Sequence, residues 1–119
     1  MRILVVDDSL FMRNIVRSVL ERAGHQVIGE ATNGQEAIYK YMDLNPELVI
    51  MDITMPILNG IESLKEILRY NSTAKVLMCS AMGQTTMIKE SIESGAKGFI
   101  TKPFDAELIL REIESISYK

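Results

Sequence analysis

The chain has 119 residues, 47% of them hydrophobic and 24% charged, with a net charge of -3. That describes one domain of common size with enough apolar material for a single core, and it argues against the clustered basic surface that nucleic-acid binding needs. No apolar run approaches the ~20 residues of a membrane span, the N-terminus lacks a signal-peptide layout, and the lone Cys79 rules out an intramolecular disulfide and fits a reducing cytoplasm. The expectation is one soluble, cytoplasmic, monomeric domain over residues 1–119.

The elements follow from periodicity. "ILVV" (3–6) is a short apolar run bounded by charge, a first strand. "SLFMRNIVRSVLERAG" then spaces Phe11, Ile15, Val16, Val19, Leu20 and Ala23 as a helix does, and Gly24 stops it. "QVIGEA" is a second strand, and "NGQEAIYKYM" predicts a helix with Ala37, Ile38, Tyr41 and Met42 on one face, broken by Asn45-Pro46. "LVIMD" is the third strand; Gly60 to Tyr70 forms a helix turning Ile61, Leu64, Ile67 and Leu68 inward. "KVLMCSA" is the fourth strand, with a helix from about Thr85 to Ser94 that ends at Gly95. "GFIT" is the fifth, and Asp105 caps a last helix whose inner face is Ile109, Ile113 and Ile116.

Strand and helix alternate five times, and the strands are apolar on both faces, as in a parallel sheet covered on each side. Right-handed crossovers then give an α/β, doubly wound, flavodoxin-like sheet of order 2-1-3-4-5. In such a sheet ligands bind past the carboxyl ends of the strands, at the switch point between strands one and three.

The residues at those ends carry chemistry. Strand one leads into Asp7 and Asp8, strand three ends on Asp52 with Thr54 in the turn, strand four ends at Ser80, and strand five leads into Thr101-Lys102-Pro103. Three carboxylates on one rim repel one another by roughly 4 kcal/mol per pair at about 4 Å and an effective dielectric of 20. A hard divalent cation relieves that conflict, and an all-oxygen set suits Mg²⁺. Singly, an Asp-Asp pair before a helix is a cap and Ser80 a loop residue; together on one rim they make a phosphoryl-transfer site. A carboxylate can act there as nucleophile, with catalysis resting on positioning and charge neutralisation. Asp52 is the expected acceptor, Asp7, Asp8, Asp52 and the Thr54 backbone carbonyl the expected Mg²⁺ ligands, and Ser80 and Lys102 the groups holding phosphoryl oxygens.

On the strength of "VVDDS", "MDITMPILNG", "CSAMG" and "GFITKPF", the chain resembles the receiver domains of two-component response regulators, most of all the single-domain chemotaxis regulators. The resemblance implies phosphorylation of Asp52 by a histidine kinase, a switch pair of Ser80 and Phe99, and a cis peptide at Lys102-Pro103. It also implies output through a partner, the flagellar motor switch, and a role for a phosphatase. Phe99 stands where many members carry Tyr, so no phenolic hydroxyl serves the switch here. Thr54 and Met82 occupy positions where polar or acidic residues accompany fast self-dephosphorylation, which implies a longer-lived phosphoryl group. A phosphorelay intermediate, or the receiver portion of a longer regulator, is the alternative.

Other Asp- or phosphate-based chemistries fit less well. A haloacid-dehalogenase-type phosphatase needs a second Asp where Thr54 stands. An FMN carrier needs a Ser/Thr/Gly-rich loop where "DDSLFM" would repel phosphate, and no G-x-G-x-x-G follows any strand. His25, after the helix-stopping Gly24, is expected in a solvated turn, Cys79 in the core, and Met82 and Met87 near the site or a partner surface.

Overall fold

A computed structural model describes residues 1–117; the last two residues of the expected 1–119 domain lie outside the described residues. The order is β1 (Arg2–Val6), α1 (Leu10–Arg22), β2 (Gln26–Ala31), α2 (Gly34–Leu44), β3 (Leu48–Asp52), α3 (Gly60–Tyr70), β4 (Val76–Ser80), α4 (Thr85–Glu93), β5 (Gly98–Thr101) and α5 (Ala106–Ser117). The strands form one parallel sheet in the order β2-β1-β3-β4-β5. The expected fold class and every expected element are present, with ends shifted by a residue or two.

Alternation along the strands divides the core in two. Leu4, Val6, Val49, Met51, Val76 and Met78 face α2 and α3, where they meet Ala37, Tyr41, Ile61, Leu64 and Ile67. Ile3, Val5, Leu48, Ile50, Leu77 and Cys79 face α1 and α5, packing on Val16, Leu20, Ile109, Ile113 and Ile116. Burying each large aliphatic side chain contributes about 1.5–3 kcal/mol. All five residues of β3 are buried, which fixes the strand that presents Asp52 from both faces.

Four of the periodic residues are not core, among them Ile15, 38% exposed, and Ala23 beside the helix-stopping Gly24. Phe11 is 72% exposed because α1 starts at Leu10 and its first turn stands past the strand ends; Met42 is 44% exposed near the end of α2. One irregularity escapes the period-two pattern: the β1–β2 register jumps between Ile3 and Leu4, leaving Ile28 as an extra residue in β2.

The loop after β3 is held tightly. An added Cβ at Gly60 would lie 2.1 Å from the Asp52 carbonyl oxygen, so only glycine lets α3 begin this close behind β3. Between them, Leu58 N–H donates to the Pro56 carbonyl at 2.7 Å, a three-residue turn centred on Ile57 at φ +69. A β-branched residue in that region is strained, and Ile57 is 82% exposed, so it recovers nothing by burial. Ile57→Asn, which tolerates this backbone, should stabilise the protein by about 0.5–1 kcal/mol, raising the melting temperature by a few degrees. An unchanged or lower melting temperature would count against strain at Ile57.

Candidate functional site

Register places the acidic residues. Val6 pairs with Met51, so the next positions, Asp7 and Asp52, come side by side at the carboxyl edge of the two central strands. Asp8 follows at the mouth of the β1–α1 loop and is exposed, whereas Asp7 and Asp52 are 6% and 8% exposed. Carboxylate oxygens of Asp7, Asp8 and Asp52 all lie within 4.8 Å of one another. The pair does not cap α1: Ser9 does, its hydroxyl accepting from Met12 N–H at 3.2 Å. The acidic pair is thereby free for other partners. One Asp7 oxygen accepts from Ser9 N–H at 2.9 Å, and Arg13 donates to the Asp7 carbonyl at 2.6 Å.

Lys102 comes in from the end of β5. Its Nζ lies 3.0 Å from an Asp7 oxygen and 3.3 Å from an Asp52 oxygen. The backbone brings it there: Lys102 N–H donates to the Ser80 carbonyl at 2.7 Å, and the Lys102–Pro103 peptide is cis. Burial pushes the Asp52 carboxyl above its ordinary range; Lys102 opposes the rise, and the Asp7 and Asp8 charges add to it. Burial also works against the charge on Lys102, but its hydrogen bond to Asp7 and the charge of Asp52 more than offset that and hold its pKa above the usual lysine range. Three carboxylates and one ammonium leave two negative charges in an all-oxygen donor set, a fit for a hard divalent cation.

Ser80 is fully buried at the end of β4, its hydroxyl 3.5 Å from the Ile100 carbonyl. Phe99, two strand residues before Thr101, points outward and is 40% exposed over a groove of about 580 Å³ lined by Ile92, Ala96, Leu108 and Glu112. Ser80 and Phe99 are thus on adjacent strands, β4 and β5, and Met78 is the register partner of Phe99. Thr54 is exposed in the β3–α3 loop. Met82 is 75% exposed and lines a second, apolar groove of about 380 Å³ with Met12, Ile15 and Phe104, beside Lys102.

One residue of the rim carries no sequence signal of chemistry. The Gln84 side chain accepts from Ala81 N–H at 2.7 Å and donates to Thr54 Oγ1 at 2.8 Å, joining the loops after β4 and β3. The only hint is its place as first flank of α4, where Ser, Thr, Asp or Asn would cap. The remaining candidates are structural. Burial pushes the Cys79 thiol far up, so it stays an inert core thiol. His25 is half-buried rather than solvated, its Nδ1 2.9 Å from the N-terminal amine, and burial and then that charge lower its pKa.

The sequence matches the response regulator receiver domain family over residues 3–114. It is 48% identical to the chemotaxis protein CheY of Thermotoga maritima over 116 residues, which is 98% of this chain and 97% of that one. To CheY of Bacillus subtilis it is 49% identical over 112 residues, 94% and 93% of the two chains. The fold superposes on CheY in the crystal structure of a CheX-CheY-BeF3-Mg complex from Borrelia burgdorferi with a TM-score of 0.95 and 36% identity, covering 100% of this chain and 90% of that one. A doubly wound sheet with an acidic cluster and a lysine at its switch point, in a chain this similar to CheY, belongs to the receiver domains of two-component response regulators, among the chemotaxis regulators.

Proposed function

We propose that this chain is a single receiver domain that accepts a phosphoryl group on Asp52 from a chemotaxis-type histidine kinase and signals by binding the flagellar motor switch. The convergence of Asp7, Asp8 and Lys102 on Asp52 carries the reading. Asp7, Asp8, Asp52 and the Thr54 carbonyl would hold Mg²⁺, which when bound supplies positive charge to the phosphoryl oxygens. The rest is the work of the chain's own groups. Asp52 supplies the attacking carboxylate, and buried walls keep bulk water from its inner side. Lys102 leans from two carboxylates toward the new negative charge, and the Ser80 hydroxyl leaves the Ile100 carbonyl to donate to a phosphoryl oxygen.

Movement of Ser80 opens space beside β5 that the Phe99 ring, now outward, enters. The α4–β5–α5 face, with its groove along Phe99, changes shape as a result. This is a population shift: the phosphoryl group binds one of two arrangements better. The Borrelia chain was crystallised with CheX, beryllofluoride and magnesium; a protein partner of the loaded form is proposed here too, together with a phosphatase that ends the signal. No helix among the described residues is long and apolar enough to cross a membrane.

Affinity for the flagellar switch protein, with and without beryllofluoride as phosphoryl mimic, tests the switch. Wild type should bind about tenfold tighter when loaded, whereas Ser80→Ala should load and lose most of that gain. Equal affinities for loaded wild type and loaded Ser80→Ala would refute the switch.

A further inference from the structure

We infer that Gln84 is a latch on the resting state: its side-chain oxygen occupies the Ala81 N–H that an incoming phosphoryl oxygen needs, while its NH₂ ties the same loop to Thr54. The inference rests on the proposal that Asp52 carries the phosphoryl group.

The orientation of the carboxamide is fixed by its partners. Ala81 N–H can only donate, so the atom 2.7 Å from it is the oxygen; the nitrogen is left to donate to Thr54 Oγ1 at 2.8 Å. The side chain has given up a helix cap to make this bridge. Ser9, Asn33 and Asn59 cap α1, α2 and α3 with side-chain oxygens, but Gln84, at the same place before α4, makes no such bond.

Little else holds that region. α4 buries a single residue, Ser91, against five in α3, and the loop before it turns through Gly83 at φ +87. One hydrogen bond within the β4–α4 loop and one from it to the β3–α3 loop are therefore a large share of what fixes residues 81–84.

Ala81 directly follows Ser80, so its N–H is the first backbone donor past the carboxyl end of β4. Strand ends of a doubly wound sheet are where such donors meet ligands. An ionised phosphoryl oxygen is a stronger acceptor than an amide oxygen, and one N–H cannot serve both in good geometry. Phosphorylation of Asp52 displaces Gln84 from Ala81, and the bond to Thr54 goes with it as the loop shifts. Gln84 thus opposes loading: the competent arrangement is reached only after the latch opens, which weakens apparent affinity by the fraction that is open. It is a positioning residue, not one that touches the reacting atoms.

The full chain with saturating Mg²⁺ and beryllofluoride tests this. Gln84→Met keeps the side chain's length and removes both bonds; it should bind beryllofluoride roughly three- to tenfold tighter than wild type. Gln84→Ser removes the bridge while supplying α4 with a true cap, so it guards against a loss of fold, and it should show the same tightening. Thr54→Val cuts one end of the link only. Combined with Gln84→Met, it should add nothing to the Gln84→Met gain, because a broken link is not broken twice. A merely structural Gln84 predicts the reverse, weaker loading with a lower melting temperature. Equal or weaker beryllofluoride affinity in both Gln84 variants, or additive gains in the double variant, overturns the latch and leaves the phosphoacceptor reading standing. Failure of folded wild type to bind beryllofluoride sinks that reading and the latch together.

Discussion

Asp52→Asn should take up no phosphoryl group from acetyl phosphate and Mg²⁺, whereas wild type gains one base-labile group by intact mass. In the proposed reaction a carboxylate oxygen of Asp52 bonds to phosphorus as the bond to the acetyl oxygen breaks, and acetate leaves with the electron pair. An amide has no such nucleophilic oxygen. Labelling that persists in Asp52→Asn would remove the central claim.

The same substitution has a second, opposite effect on stability. Asp52 holds its proton to higher pH in the folded protein than in the unfolded chain, through burial and the neighbouring carboxylates. Between the two pKa values the folded state binds more protons, so stability falls as pH rises through that window. Above it, the whole penalty of an ionised, buried Asp52 is present, and an amide carries none of it. Without metal, Asp52→Asn should melt above wild type at neutral pH, and the gap should close as pH drops below the ordinary carboxylate range. Coincident melting curves at neutral pH would show that the cluster does not burden the resting fold. A higher melting temperature in the variant would mean that Asp52 is held in a state that a bound cation would relieve.

What the sequence disclosed, and what it did not, divides along one physical line. β3 and β4 are continuous apolar runs because both faces are covered, so five strands and their helices are visible in the pattern itself. That Asp7, Asp52, Ser80 and Lys102 gather on one rim was legible because chain order fixes which residues sit at strand ends, and this topology sets those ends side by side. Features set by contact rather than by order were not. The Gln84 bridge depends on two loops meeting, which no spacing encodes. The turn at Ile57 contradicts local preference, since nothing about an isoleucine announces a positive φ. Phe11 keeps the helical period of α1 yet stands past the sheet it would pack on, because periodicity gives a direction and not a distance along the axis. The extra residue Ile28 leaves the apolar run intact and only displaces the register.

Lys102→Met should bind Mg²⁺ about tenfold tighter than wild type at neutral pH, a gain of about 1.4 kcal/mol, although its metal-free fold is weaker. Lys102 is a cation already installed among the acids, 3.0 Å from Asp7 and 3.3 Å from Asp52. It competes with any metal for the same oxygens. At an effective dielectric of 20, two unit charges ~5 Å apart interact by about 3 kcal/mol, and solvent reaching the lysine lowers the part realised. Methionine keeps the apolar stem and removes the charge. The three carboxylates then face one another without a counter-charge, and breaking such a pair should cost about 2 kcal/mol, less than in a fully buried pair because the Lys102 side chain is 23% exposed. Metal should return more to the variant than to wild type, since stabilisation grows with the ratio of free ligand to dissociation constant. Acidity should expose the change further. Lys102 is the main influence holding the Asp52 pKa down against burial, so without it that carboxyl protonates at a higher pH. Mg²⁺ needs the ionised form, and the variant should therefore lose its affinity at a higher pH than wild type as the solution is acidified. Calorimetric Mg²⁺ titrations of both proteins across that range decide it: if Lys102→Met binds no tighter at neutral pH, the lysine does not compete for the acidic cluster.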